Sequence, residues 1–147
     1  MKRLEKKVAL VTGGSRGIGE AIVYALAQEG ADIGLNYVVS EERAEQNCEN
    51  IRKKCGVKVI AIKADVSVPR EVQNMVDTML KEFGLIDILV NNAGTVSRGK
   101  LIDTLLEEWN RVIATNLSSV FLCTKVVLPS MLKRRKGRII NIASYLG

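Results

Sequence analysis

Thr12-Gly13-Gly14-Ser15-Arg16-Gly17-Ile18-Gly19 follows the short apolar run Lys7 to Val11 (KVALV) and opens an apolar repeat at Ile18, Ala21, Ile22, Ala25 and Leu26. The run reads as a buried strand, the repeat as one face of a helix, and Gly30 as that helix's stop. The glycines therefore occupy a turn from strand to helix. They let the backbone turn tightly and let an anion approach the helix N-terminus, where unpaired N–H groups and the dipole favour negative charge. The pattern is TGxxxGxG rather than GxGxxG, because Ile22 stands where the third glycine would be. Placed between a buried strand and an amphipathic helix, it points to a dinucleotide pyrophosphate, with Gly13, Ser15, Arg16, Gly17, Ile18 and Gly19 as its cradle, the competing reading being a purely structural turn.

Outward from this turn, strand and helix patterns alternate. Ala31 to Asn36 is a second strand, and Ser40 begins a helix that ends near Gly56. Val57 to Ile62 is a third strand. Ser67 and Pro69 start a helix with apolar positions Val72, Met75, Val76, Met79, Leu80 and Phe83, ending at Gly84. Ile86 to Val90 is a fourth strand. Thr104 and Glu107 suggest the capping box of a long helix running past Met131, with Pro129 expected to kink or interrupt its last turns. Arg138 to Ile142 is a fifth strand. Five strands separated by helices imply right-handed crossovers and an α/β fold: a doubly wound parallel sheet, Rossmann-like, with helices on both faces. Ligands in such sheets sit at the carboxyl ends of strands.

The chain has 147 residues, one domain's length, with 47% hydrophobic and 26% charged residues. No uninterrupted apolar run approaches the ~20 residues that span a bilayer, so no membrane role is expected. With no histidine, the Ser-His-Asp triad and His-ligated zinc are excluded. The net charge of +6 is concentrated at Lys2, Arg3, Lys6 and Lys7 and at Lys133, Arg134, Arg135, Lys136 and Arg138. Residues 8 to 132 balance to −2, and aromatics are only 4%, which argues against a nucleic-acid surface. The second basic run reads either as a solvated helix end or as a surface for an acidic partner. Cys48, Cys55 and Cys123 form no CxxC pair and no metal framework, and Cys48 and Cys55 fit small buried positions. Without a cleavable apolar leader, a cytoplasmic location is expected.

An Asp or Glu ending the second strand would hold an adenosine ribose 2′-hydroxyl. Asn36 or Tyr37 occupies that place; Asp32 is at the wrong end of the strand, and Glu41 and Glu42 suit the next helix's first turn. Arg16 could instead pair with a 2′-phosphate through its planar fork, favouring NADP(H), or be a plain surface residue.

These residues resemble the short-chain dehydrogenase/reductase family over the whole chain. TGGSRGIG at 12 to 19, Asp65-Val66, Asn91-Asn92-Ala93-Gly94, Asn116 and IINIAS at 139 to 144 match in order. Within the family, the NADPH-dependent 3-oxoacyl-acyl-carrier-protein reductases of fatty acid synthesis are similar in DILVNNAG, TNLSSVF and the basic segment before the fifth strand. The resemblance implies that Asp65 and Val66 contact adenine, that Asn92, Ala93 and Gly94 line the cofactor ribose, and that Asn91 supports the strand end. It implies that Ser144 hydrogen-bonds a substrate carbonyl and that Asn116 holds a water in a proton relay. An acidic carrier protein would suit Lys133, Arg134, Arg135 and Lys136, and a homo-oligomer is expected.

Asn116 also falls on the apolar stripe of Trp109, Val112, Ile113, Val120, Phe121 and Val127, so a buried structural amide is the competing reading. The family's Tyr-x-x-x-Lys unit does not follow Ser144 here: Tyr24 and Tyr37 lie in the cofactor half, and Tyr145 has no following Lys. The expectation is the N-terminal part of a longer domain, cut after its fifth strand, inactive alone, with that strand left as an apolar edge. A reductase of a sugar or other small alcohol, and a non-catalytic NADP-binding module, are the alternatives.

Overall fold

The structure, a computed structural model, describes residues 2–144. All five expected strands form: β1 (Val8–Val11), β2 (Asp32–Tyr37), β3 (Val59–Lys63), β4 (Ile88–Asn91) and β5 (Arg138–Asn141). They pair in the order β3-β2-β1-β4-β5, every pair parallel. The chain steps outward from β1 to β3 and then crosses back to lay β4 on the other side of β1. Such a reversal is where parallel α/β sheets place their ligand crevice, here at the carboxyl ends of β1 and β4.

The helices are α1 (Gly17–Gln28), α2 (Glu41–Cys55), α3 (Pro69–Phe83), α4 (Leu106–Ile113) and α5 (Ser119–Lys133). Alternation along β1 divides the core between the two faces of the sheet. Ala9 and Val11 join Val23 and Ala27 of α1 and Ala44, Cys48 and Ile51 of α2. Val8 and Leu10 join Val72, Met75 and Met79 of α3 and Cys123, Val127 and Met131 of α5. Ser40 caps α2 by accepting the Arg43 N–H, and α2 and α3 stop at Gly56 and Gly84 as the sequence suggested.

The expected long helix differs in detail. Thr104 and Glu107 form no capping box: Thr104 donates its hydroxyl to the Lys100 carbonyl at 3.1 Å, closing a 3-10 turn at Leu101–Asp103. The helix starts after Leu105, with no side-chain cap. Pro129 lies inside α5 without ending it. The irregularity comes earlier, at a π turn over Ala114–Ser118 between α4 and α5. A π turn adds a residue to the helical repeat and so rotates the face presented beyond it. Of the expected stripe, only Val127 is buried, whereas Trp109 and Phe121 are 53% and 62% exposed.

The continuous helix Leu106–Lys133 is long and apolar enough, by length and composition, to cross a membrane. Polar residues punctuate it, so no uninterrupted apolar run marks it in the sequence. Its buried side, Cys123, Val127 and Met131, packs into the core beside α3, as a sheet-covering helix does. At β5, Ile140 is 40% exposed, and Ile142, just beyond the strand, is 39% exposed.

Candidate dinucleotide site

Thr12 directly follows β1, and its buried side chain ties the two central loops together. Its Oγ1 accepts the N–H groups of Asn92 and Ala93, both at 3.0 Å. Asn92 returns the contact, its Nδ2 donating to the carbonyls of Thr12 and Gly13 at 3.0 and 3.1 Å. Thr12 was not among the expected site residues. A hydroxyl directly after a buried strand, just before the glycines, was the available signal.

Two of the glycines are required by space. Gly13 has φ +63°, and a Cβ there would stand 3.0 Å from the Cα of Ala93. A Cβ on Gly19 would collide with the carbonyl of Gly13 and approach Asn92 Nδ2. The turn is thus packed backbone against backbone, leaving α1 to begin at Gly17 with no side-chain cap from Arg16. The first N–H groups of a helix have no acceptor within it, so Gly17, Ile18 and Gly19 present donors to an anion. Arg16 and Ile18 are exposed beside them, and Ser15 is half-buried.

Asn36 departs from expectation. It is fully buried, with its Oδ1 accepting the Gly13 N–H at 3.1 Å and its Nδ2 donating to the Ala64 carbonyl at 2.9 Å. With both ends of the amide engaged by backbone and no surface exposed, it shapes the turn and does not reach a ribose. Tyr37, the other residue considered, is also buried, and burial pushes its phenol pKa up, with Glu41, Glu45 and Cys48 adding to the rise.

At the end of β3, Asp65 Oδ1 accepts the backbone N–H and hydroxyl of Ser67 at 2.9 and 2.6 Å. The Asp65 N–H is held by Glu71 Oε2 at 2.6 Å, a contact the sequence did not single out. Val66 is 2% exposed, its side chain in the core, so backbone is what it offers to a ligand. At the last residue of β4, Asn91 Nδ2 donates to Asn141 Oδ1 at 2.9 Å, supporting the β4–β5 pairing. Ala93 is half-buried and Gly94 exposed.

Asn116 lies in the π turn and is exposed, not buried on a stripe. Its Oδ1 accepts the Thr95 N–H and its Nδ2 donates to the Thr95 carbonyl, each at 2.8 Å. The amide therefore finds its partners on the loop after β4, because the rotated helix face points at that loop. Ser144 follows β5 at this same end of the sheet and is exposed.

The basic run is at the opposite end. α5 ends at Lys133, and Arg138 pairs with Ile88, the first residue of β4. Lys133, Arg135 and Lys136 are exposed, but Arg134 turns inward to Asp87 and the Ile86 carbonyl. Arg134 is thus removed from the expected partner surface, because a nearly buried carboxylate claims it.

A doubly wound parallel sheet with this first turn defines a Rossmann-type α/β domain. Residues 7–147 match the family model described as short chain dehydrogenase. A 3-oxoacyl-acyl-carrier-protein reductase of Staphylococcus epidermidis is 45% identical over 141 residues, covering 96% of this chain and 57% of that protein. One from a Synechocystis species is 46% identical over 147 residues, covering this whole chain and 59% of that protein. Among solved structures, a doubly substituted Serratia marcescens short-chain dehydrogenase/reductase matches with a TM-score of 0.90 at 42% identity, over 97% of this chain and 57% of that one. A short chain dehydrogenase from Burkholderia cenocepacia, in complex with NADP, matches with a TM-score of 0.89 at 40% identity, over 98% and 58%. This chain belongs to the short-chain dehydrogenase/reductase family, and it spans less than two thirds of the length of these relatives.

Proposed function

We propose that the chain binds NADP(H) across the carboxyl ends of β1 and β4, within an oxidoreductase that interconverts a carbonyl and an alcohol. The observation that carries this reading is the turn from Gly13 to Gly19, where a Cβ on either of those two glycines has no room and α1 begins without a side-chain cap. In the assignment of roles, the N–H groups of Gly17, Ile18 and Gly19 receive the pyrophosphate and Arg16 the 2′-phosphate. Asp65 and the backbone of Val66 face adenine, and Asn92, Ala93 and Gly94 border the ribose. Bound there, the nicotinamide supplies or accepts a hydride. Ser144 orients the substrate oxygen, and Asn116 holds the loop at Thr95 and is the residue placed to position a relay water.

The substrate class best supported is a 3-oxoacyl group on an acyl carrier protein, from the names of the curated relatives. Within one chain, Lys133, Arg135 and Lys136 stand at the opposite end of the sheet from the crevice. A carrier docked on them would serve the site of a neighbouring copy. Association with like copies is supported by exposed Leu105, Trp109, Ile140 and Ile142, and a cytoplasmic setting by the three free cysteines.

Binding without turnover is the second reading; among the described residues both tyrosines lie in the half of the sheet away from Ser144. Tyr24 is on α1 and Tyr37 on β2, separated from β5 and Ser144 by β1 and β4. Tyr145 lies outside the described residues. Titration with NADPH and NADH, followed by assay with an acetoacetyl thioester, separates the readings. Binding with turnover supports the reductase, binding alone the second reading, and no binding of either nucleotide overturns both.

A further inference from the structure

We infer that Asn36 and Asn47 are positioning residues that hold the glycine-rich turn in its anion-receiving shape from two sides, an inference that rests on the dinucleotide reading above. Residue 36 meets two consecutive N–H groups of the turn. Its side-chain Oδ1 accepts from Gly13 at 3.1 Å, and its backbone carbonyl accepts from Gly14 at 2.8 Å. Its Nδ2 is anchored to the end of β3 through the carbonyls of Ala64 at 2.9 Å and Ile62 at 3.3 Å. An amide suits the place because it presents an acceptor on one side and donors on the other. A carboxylate would face two carbonyls without a proton to offer, and an apolar side chain would strand the Gly13 N–H in the interior.

These contacts also decide which donors the turn keeps for a ligand. With Gly13 and Gly14 taken by residue 36, the anion falls to the N–H groups at the start of α1. Asn47 acts on the segment between. From the half-buried face of α2, its Nδ2 donates to the Ser15 carbonyl at 3.0 Å, drawing that oxygen toward α2. A carbonyl held there is turned from an incoming phosphate, with which it would clash electrostatically. Both asparagines act on backbone beside the pyrophosphate, a group that NADPH and NADH share. Their effect is therefore on both nucleotides equally, unlike that of Arg16.

The test uses the full chain, with affinities for NADPH and NADH measured by titration and the fold followed by urea unfolding. Asn47→Ala is the primary variant, since its position is partly exposed and off the sheet. It is expected to lose about fivefold in affinity for each nucleotide, in parallel, with little change in the unfolding midpoint. Asn47→Gln, which keeps the donor, should recover most of that loss. Asn36→Asp should weaken both nucleotides further and lower the unfolding midpoint; should it fail to fold, the Asn47 pair still decides. Unchanged affinity in Asn47→Ala, or a loss confined to NADPH, overturns the inference. Wild-type protein that unfolds cooperatively but binds neither nucleotide overturns the dinucleotide reading itself, a result distinct from failure of the variants.

Discussion

Arg134 reaches back from the end of α5 to place Nη1 3.0 Å from Asp87 Oδ1 and Nη2 2.7 Å from the Ile86 carbonyl. Asp87 Oδ2 in turn accepts the N–H of Val8, the first residue of β1, at 3.2 Å. One ion pair thus joins the last helix to the amino ends of the two central strands. The Asp87 side chain is 8% exposed and that of Arg134 29%, so the pair is shielded from water more than a surface bridge is.

Arg134→Met should therefore destabilise the fold by about 2 kcal/mol, since it leaves a nearly buried carboxylate facing only an N–H. Thermal unfolding should shift down by roughly 4–8 °C for a chain of this size. Nucleotide affinity should stay unchanged, because the pair is at the end of the sheet away from the crevice. A variant as stable as wild type would mean that the pair contributes nothing net.

Thr12→Val tests the lock between the two central loops. Valine keeps the branched shape but removes the oxygen that accepts the N–H groups of Asn92 and Ala93. Two donors next to the core would lose their partner, for a cost of about 2 kcal/mol. Because those donors open the loop after β4, nucleotide affinity should fall as well. Chemical unfolding and nucleotide titration together read both effects; a fall in neither would show the lock to be dispensable.

The five strands and their parallel sheet were legible because each strand is a short apolar run bounded by glycine, proline or capping residues, and each buried helix repeats at helical spacing. The glycine turn was legible for the same reason, since Gly13 and Gly19 are positions where only glycine fits. What pattern reading missed depended on partners distant in sequence. Asn36 looks like a ribose contact at the end of a strand until Gly13 and Ala64 are seen to claim its amide. Arg134 looks like one more charge in a basic run until Asp87 appears beneath it. The π turn at Ala114–Ser118 left no periodic signal, and so Asn116 was placed on a buried face that the helix turns outward.

Arg16→Ala should separate the two nucleotides. The side chain is exposed at the start of α1 and provides no cap to it, so its removal should leave the fold intact. If its guanidinium pairs with a 2′-phosphate, NADPH affinity should drop about tenfold or more while NADH affinity changes little. Equal effects on both nucleotides would remove Arg16 from that role.

The buried thiols make stability fall at high pH. Burial pushes Cys48 up to about 11 and Cys123 up to about 12, whereas an unfolded cysteine ionises near 8.5. For an acid whose folded pKa is raised, the folded state keeps its proton after the unfolded state has released it. Stability from this source is therefore complete below about pH 8.5 and declines as pH rises above it, until the folded thiols ionise too. The slope is at most about 1.4 kcal/mol per pH unit for each thiol. Unfolding free energies measured from pH 8 to 10.5 for wild type and for Cys48→Ala/Cys123→Ala should converge, cross at about pH 9 and leave the variant the more stable above it, because the variant has lost both groups. The variant begins lower, since truncating two core side chains costs about 1–2 kcal/mol in buried apolar contact. Parallel curves across that range would show that neither thiol resists ionisation in the fold.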